Sequence, residues 1–179
     1  MANEQKPAFE YDPSLEDMVI PGGFQNATEG STAAVLVDVV PLGFMEQTDK
    51  TTGVTKNVFK IDAIFQIEER REPKPGYDEG LRFTVRRRYS LSLNEKAAFR
   101  PVYEALVGRA VTSDEENGKA KLSVRDLFKL IGKSVLINVV RSKDGKYDNI
   151  STVSPLPKAL APVTAEAYVR IKDRAPKAA

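Results

Sequence analysis

The chain predicts a mainly β protein, a small five-stranded barrel with minor helix, and three observations carry that reading. Val58 to Glu68 and Leu81 to Leu93 alternate apolar and polar residues with the two-residue period of half-buried strands. Three further runs, near 33–40, 134–140 and 147–153, are short, apolar and rich in β-branched residues. The helical periodicity lies between the third and fourth of these strands.

Taken in order, residues 1–30 read as an extension, because Pro7, Pro13, Pro21, Gly22, Gly23 and Gly30 interrupt any regular element. Phe9, Tyr11, Met18, Val19, Ile20 and Phe24 are apolar anchors within it. The domain proper spans 31–157. Its first strand, Ala33 to Val40, sets Val35, Val37 and Val39 on one face and continues past Pro41 to Glu46. Gln47 to Val54 is a polar turn. In the second strand Phe59, Ile61, Ala63, Phe65 and Ile67 face one way, and Lys60, Asp62, Gln66 and Glu68 the other, with Ile64 the exception on that polar face. Glu69 to Gly80 is a charged Pro/Gly loop. In the third strand Leu81, Phe83, Val85, Tyr89, Leu91 and Leu93 share the apolar face; Arg87 also falls there, which predicts a bulge, a bend or a barrel end.

A helix comes next, with Phe99, Val102, Tyr103 and Leu106 at i, i+3, i+4 and i+7, Asn94 as its N-cap and Gly108 as its stop. Pro101 moves the start of that helix toward Phe99. Thr112 to Lys121 reads as a polar loop. Ser123 and Asp126 resemble a capping box before a short helix with Val124, Leu127, Phe128 and Ile131 on its stripe. Ser134 to Val140 is a buried strand, Asp144-Gly145 a tight turn, and Tyr147 to Val153 the returning strand. Residues 158–179, rich in Ala, Pro and Lys, read as a basic tail with a short ordered piece at Ala167 to Ile171. The order β-β-β-α-(α)-β-β is that of an OB-like barrel, with its helix between strands 3 and 4.

Composition narrows the chemistry. The 179 residues include no Cys and no His, so disulfides, thiolate nucleophiles and His/Cys zinc sites are excluded. The usual general base is missing too, and no paired acidic motif replaces it. The expectation is a non-enzyme without catalytic residues, metal or cofactor. Gly22-Gly23 lacks the Lys and Ser/Thr of a phosphate loop, and Asp114, Glu115 and Glu116 read as a solvated acidic cluster. No stretch approaches the ~20 apolar residues of a membrane span, and Met1 to Pro7 lacks the apolar core of a signal peptide. A cytoplasmic protein that does not engage membranes is expected. The net charge of +2 hides a division: residues 1–30 carry one Lys and six acids, net −5, whereas 129–179 carry ten bases and four acids, net +6.

Three segments carry a resemblance: T-V-R-R-R-Y-S-L-S-L-N-E-K (84–96), D-L-F-K-L-I-G-K-S-V-L-I-N-V-V (126–140) and G-K-Y-D-N-I-S-T-V-S-P-L-P-K (145–158). From Phe83 to Leu160 the chain resembles a family of short proteins encoded in phage and prophage replication modules. The resemblance implies an OB fold and a single-stranded DNA-binding role in phage replication or recombination, inside a bacterial host cell. It covers roughly half the chain and brings no catalytic motif. Bacterial single-stranded DNA-binding proteins typically end in an acidic, partner-recruiting tail; this chain ends R-I-K-D-R-A-P-K-A-A. Recruitment of replication or recombination proteins would then fall to Glu10 to Asp17.

OB folds bind strands across the face of strands 2–3 and between loops. The candidate nucleic-acid contacts are therefore Lys60, Arg82, Arg86 and Arg88 on that face, with Tyr89 beside them as a stacking ring. Arg70, Arg71 and Lys74 come after strand 2, and Arg141, Lys143, Lys146 and Tyr147 flank the last turn. Basic side chains neutralise phosphates and release counterions, giving salt-dependent affinity without sequence preference. A basic strand face also serves simply as a solvated face that blocks edge pairing. Stacking rings are scarce: Tyr147, Tyr77 and Phe44 lie in or beside loops, while Phe59, Phe65, Phe83, Phe99, Tyr103 and Phe128 read as core. Self-association is compatible with this role. The rival expectation is a phage-derived interaction module, such as a host-factor inhibitor, working through the acidic residues 1–30.

Overall fold

The computed structural model describes residues 25–73 and 80–174. Apolar anchors before Gln25, together with Lys74 and Tyr77, lie outside the described residues, as does the acidic stretch Glu10 to Asp17. The strands are β1 (Gly30–Thr48), β2 (Thr55–Arg70), β3 (Arg82–Ser90), β4 (Ser134–Arg141) and β5 (Asp148–Pro155). Between β3 and β4 lie α1 (Phe99–Val107), α2 (Ser113–Glu116) and α3 (Val124–Phe128). The strands form one antiparallel sheet in the order β3-β2-β1-β4-β5. No described helix is long and apolar enough to cross a membrane.

The sheet curls but is not a closed barrel: β3 and β5 are its two edges, and no backbone ladder joins them among the described residues. Arg87 spans the seam instead, its Nη1 donating to the carbonyls of Ile150 and Ser151 on β5, each at 2.9 Å. Of the bulge, bend or barrel end expected at Arg87, the bulge is absent, since the β2–β3 register runs unbroken from Lys60↔Ser90 to Gln66↔Thr84, and β3 is an edge of the sheet. An Arg on the apolar face is tolerated because its guanidinium reaches the opposite edge and finds carbonyls there.

β1 departs from the simple alternation. Two bulges interrupt its pairing with β2, at Val37 between Leu36↔Phe65 and Asp38↔Ile64, and at Leu42 between Pro41↔Ile61 and Gly43↔Lys60. Each extra residue reverses the facing of the strand beyond it. Val39 therefore joins the main core while Val35 and Val37 lie on the opposite face, not together with Val39 as the alternation implied. Gly43, at φ +85, supplies the positive φ the second bulge uses.

The main core lies on the concave face and holds Leu36, Ile61, Phe65, Val85, Ile137 and Val139, capped by Phe99 and Leu106 of α1. Tyr89 packs there against Phe99, their rings 5.6 Å apart. α1 starts at Phe99, but its N-cap is Ala98 and no side chain caps it; Asn94 instead opens a turn, with its carbonyl accepting from Ala97. Pro101 is accommodated in the first helical turn, where its missing N–H costs nothing. α2 is a single capped turn inside the stretch expected to be loop.

The largest revision concerns the C-terminus. Residues 158–174 are not a loose tail over the part described; they cross the convex face of the sheet as a strap. Val163 is buried against Val35, Val37 and Ile64, with Tyr168 and Ile171 packed alongside. Two buried polar residues fasten it. Gln66 accepts from the Glu166 N–H at 2.7 Å and donates to the Glu166 carbonyl at 2.8 Å. Asp38 accepts from the Tyr168 hydroxyl, the Arg170 Nε and the Ile171 N–H at 3.2, 3.1 and 2.8 Å. Buried polar groups of this kind persist because each is hydrogen-bonded. Residues 25–29 close the other end: Ala27 is fully buried, its N–H donating to Asp148 at 2.9 Å.

Candidate nucleic-acid interface

The convex face of β2 and β3 presents a row of paired residues: Lys60 beside Ser90, Asp62 beside Arg88, Ile64 beside Arg86, Gln66 beside Thr84. Most of the cations predicted for this face already hold partners. Lys60 donates to Ser90 Oγ at 2.6 Å and to Gln47. Arg88, with about half its side chain exposed (52%), pairs with the buried Asp62 at 3.0 Å. Arg82 donates to the Thr164 carbonyl at 2.8 Å and lies 3.3 Å from Glu166. Arg70 donates to the Gly80 carbonyl and pairs with Glu166 at 2.7 Å. Arg141 holds the Ala27 carbonyl at 2.6 Å and lies 3.5 Å from Asp148.

Tyr89 is not on this face. It is 2% exposed, inside the core, and burial pushes its hydroxyl up to about 12. The odd-numbered residues of β3 face inward, so an even register was needed for a ring beside the arginines. Lys143 sits exposed in the β4–β5 turn.

Four of the predicted residues do converge. Arg71, Arg86, Lys146 and Tyr147 line one cleft of about 270 Å³ between the β2–β3 face and the β4–β5 hairpin. The floor is Ile64 and Thr84, and the strap adds Tyr168, Ile171 and Arg174. Its four cations thus come from four separate segments: the β2–β3 loop, β3, the hairpin and the strap. Arg86 and Lys146 make no ion pair among the described residues, and Arg71 lies over the Phe83 ring at 5.0 Å. Arg174 lies over the Tyr168 ring at 5.4 Å. Among the described lining residues the acid is Asp148, whose Oδ2 accepts from the Ala27 N–H at 2.9 Å while its Oδ1 lies 3.5 Å from Arg141 Nε. Tyr147 is 58% exposed at the cleft.

Arg174 escapes sequence reasoning because the segment carrying it lacks strand or helix periodicity, whereas Tyr168 falls within the ordered piece expected at Ala167 to Ile171. The available signal is the apolar spacing of Val163, Tyr168 and Ile171 in a polar stretch. Phe44, also a stacking candidate, is 73% exposed but lies at the other end of the sheet. It packs edge-on against Phe59 at 5.3 Å, in an apolar groove with Leu91, Leu93, Leu122 and Val124.

No family model, no curated protein and no solved structure matches this chain.

Proposed function

We propose that this protein binds single-stranded nucleic acid, with DNA as the ligand, in the cleft between the β2–β3 face and the β4–β5 hairpin. The observation that carries the reading is the convergence of Arg71, Arg86, Lys146 and Arg174, where the one carboxylate among the described lining residues, Asp148, lies against Arg141. Such a cluster attracts a polyanion and releases its counterions. Tyr147 at the same cleft supplies a ring for a base, and an exposed base is what a single strand offers and a duplex does not.

The fold supports the same reading. The strand order, the helix between β3 and β4 and the bridged seam suit an OB-like barrel whose last pairing is replaced by Arg87. OB folds place ligands on the strand 2–3 face and beside the loop between strands 4 and 5, where this cleft lies. The resemblance of 84–96, 126–140 and 145–158 to phage replication proteins directs the role toward coating exposed strands during phage replication or recombination. The role is non-catalytic, because the chain has neither His nor Cys to run the common proton-transfer or thiolate chemistry.

The test is fluorescence anisotropy with labelled single- and double-stranded oligonucleotides at two salt concentrations. The single strand should bind more tightly, with affinity falling steeply as salt rises. Combining Arg86→Glu with Lys146→Glu should weaken binding at least about tenfold and flatten the salt slope by about 1.4, two phosphate contacts at 0.7 each. Unchanged binding by that double variant would remove the cleft as the site.

A further inference from the structure

The cleft does not end at Arg86. A second depression, lined by Gln66, Arg82, Glu166 and Val169, shares Arg71, Thr84, Tyr168 and Arg174 with it. The two depressions thus adjoin each other on the β3 side of the convex face. Among the described residues of the second depression the acid is Glu166.

Glu166 is held unusually firmly for a strap residue. Its carboxylate lies 2.7 Å from Arg70 Nη1, 3.0 Å from Arg70 Nη2 and 3.3 Å from Arg82 Nε. Its backbone N–H and carbonyl are both bonded by the buried Gln66. The next residue, Ala167, sits at φ +49, a left-handed conformation that costs a non-glycine residue energy. The Gln66 bonds before it and the Asp38 bonds after it hold it there. Two arginines converging on one carboxylate oxygen have the donor arrangement that also suits a phosphate.

We infer that Glu166 is an internal occupant of an anion site made by Arg70 and Arg82, and that it limits how much of a nucleic-acid strand the two depressions hold. This rests on the reading of the cleft as a nucleic-acid site. A strand entering at Arg86 and Lys146 meets the Glu166 carboxylate where its next phosphate would lie. Extension past that point requires the strand to displace the carboxylate or stop.

The experiment uses the full chain, Glu166→Gln, and oligothymidylates from about 4 to about 16 nucleotides, the span of one OB-type site. Gln keeps the side-chain size and the backbone bonds to Gln66 but removes the charge. The longer oligomers should bind Glu166→Gln about three- to fivefold more tightly, the range of one partly exposed ion pair. Their salt slope should steepen by about 0.7 per phosphate gained, while the shortest oligomers keep wild-type affinity. Ser134→Ala is the control. It removes both hydrogen bonds between Ser134 Oγ and Val163 that seat the strap, without changing charge. Equal affinity of Glu166→Gln and wild type at every length overturns the inference. So does the same gain in Ser134→Ala, which assigns the effect to strap loosening. Wild-type protein that binds no oligomer, or binds as well after Arg86→Glu with Lys146→Glu, instead sinks the underlying nucleic-acid reading.

Discussion

At the scale of single residues, identical side chains take different jobs according to what lies opposite. Arg86, Arg87 and Arg88 are consecutive on one strand. Arg86 is exposed in the cleft, Arg87 crosses the inner seam to β5, and Arg88 neutralises the buried Asp62. Of the three, only the side chain of Arg86 makes neither an ion pair nor a hydrogen bond among the described residues. Arg88→Gln should therefore show mainly as lost stability, because it strands the Asp62 carboxylate, 5% exposed, without its counter-charge. Tyr89 obeys the same logic in reverse. Among the described residues its hydroxyl is buried without a hydrogen bond of good geometry, and the Arg87 guanidinium beside it lies 5.1 Å from the ring. An unsatisfied buried hydroxyl contributes nothing to the fold that a hydrogen atom would not. Tyr89→Phe should leave urea-unfolding stability within about 0.5 kcal/mol of wild type or raise it. Oligonucleotide affinity should stay unchanged in the same variant; a clear loss would return Tyr89 to the binding site.

At the scale of elements, caps and clamps hold what periodicity cannot. α2 is one turn long and survives because Thr112 and Glu115 form a reciprocal capping box. Glu115 also receives Arg109 at 2.6 Å and the Tyr103 hydroxyl at 2.8 Å, which ties this turn to α1. The Arg109 guanidinium, then the Thr112 N–H, hold its carboxyl down from the usual 4.5 to about 2. A carboxylate with a depressed folded pKa stabilises the protein above its unfolded value and loses that contribution as pH falls. The melting temperature should thus decline between pH 4.5 and pH 2, and Glu115→Gln should flatten the decline in that window. The T-x-x-E pattern at 112–115 stands in the sequence and identifies this turn, but no apolar stripe accompanies it to mark a helix. The box at Ser123 and Asp126 is legible because Val124, Leu127 and Phe128 supply that stripe.

At the scale of the molecule, five strands make one sheet whose two edges are fastened by a side chain rather than a ladder. Arg87→Ala should cost about 1.5–3 kcal/mol in urea unfolding, the range for hydrogen bonds from a charged donor. Hydrogen exchange should quicken on β5, the edge that Arg87 holds, before it quickens on β1 or β2. Uniform exchange across the sheet would mean that the seam does not need Arg87. The strap works at this scale as well. It buries Val35, Val37 and Ile64, three apolar residues on the face otherwise expected to meet solvent, and supplies one wall of the cleft.

The sequence by itself determined the strands, their facing in β2 and β3, the helix at Phe99 and the hairpin turn at Asp144-Gly145. Each is set by local periodicity or by a turn residue, so neighbours in the chain suffice to specify it. It also determined four of the cleft's residues, because Arg71, Arg86, Lys146 and Tyr147 sit on segments whose facing or turn position could be read. The tertiary structure alone decided which cations remain uncommitted. That depends on contacts between residues far apart in the chain: Arg70 and Arg82 with Glu166, Arg141 with Ala27, Arg87 with Ile150. It also decided the reversal at Val37, since a bulge appears only when two strands are paired, and the course of residues 158–174. Their sparse apolar side chains have no periodic partner in sequence and find one only on the convex face of the finished sheet.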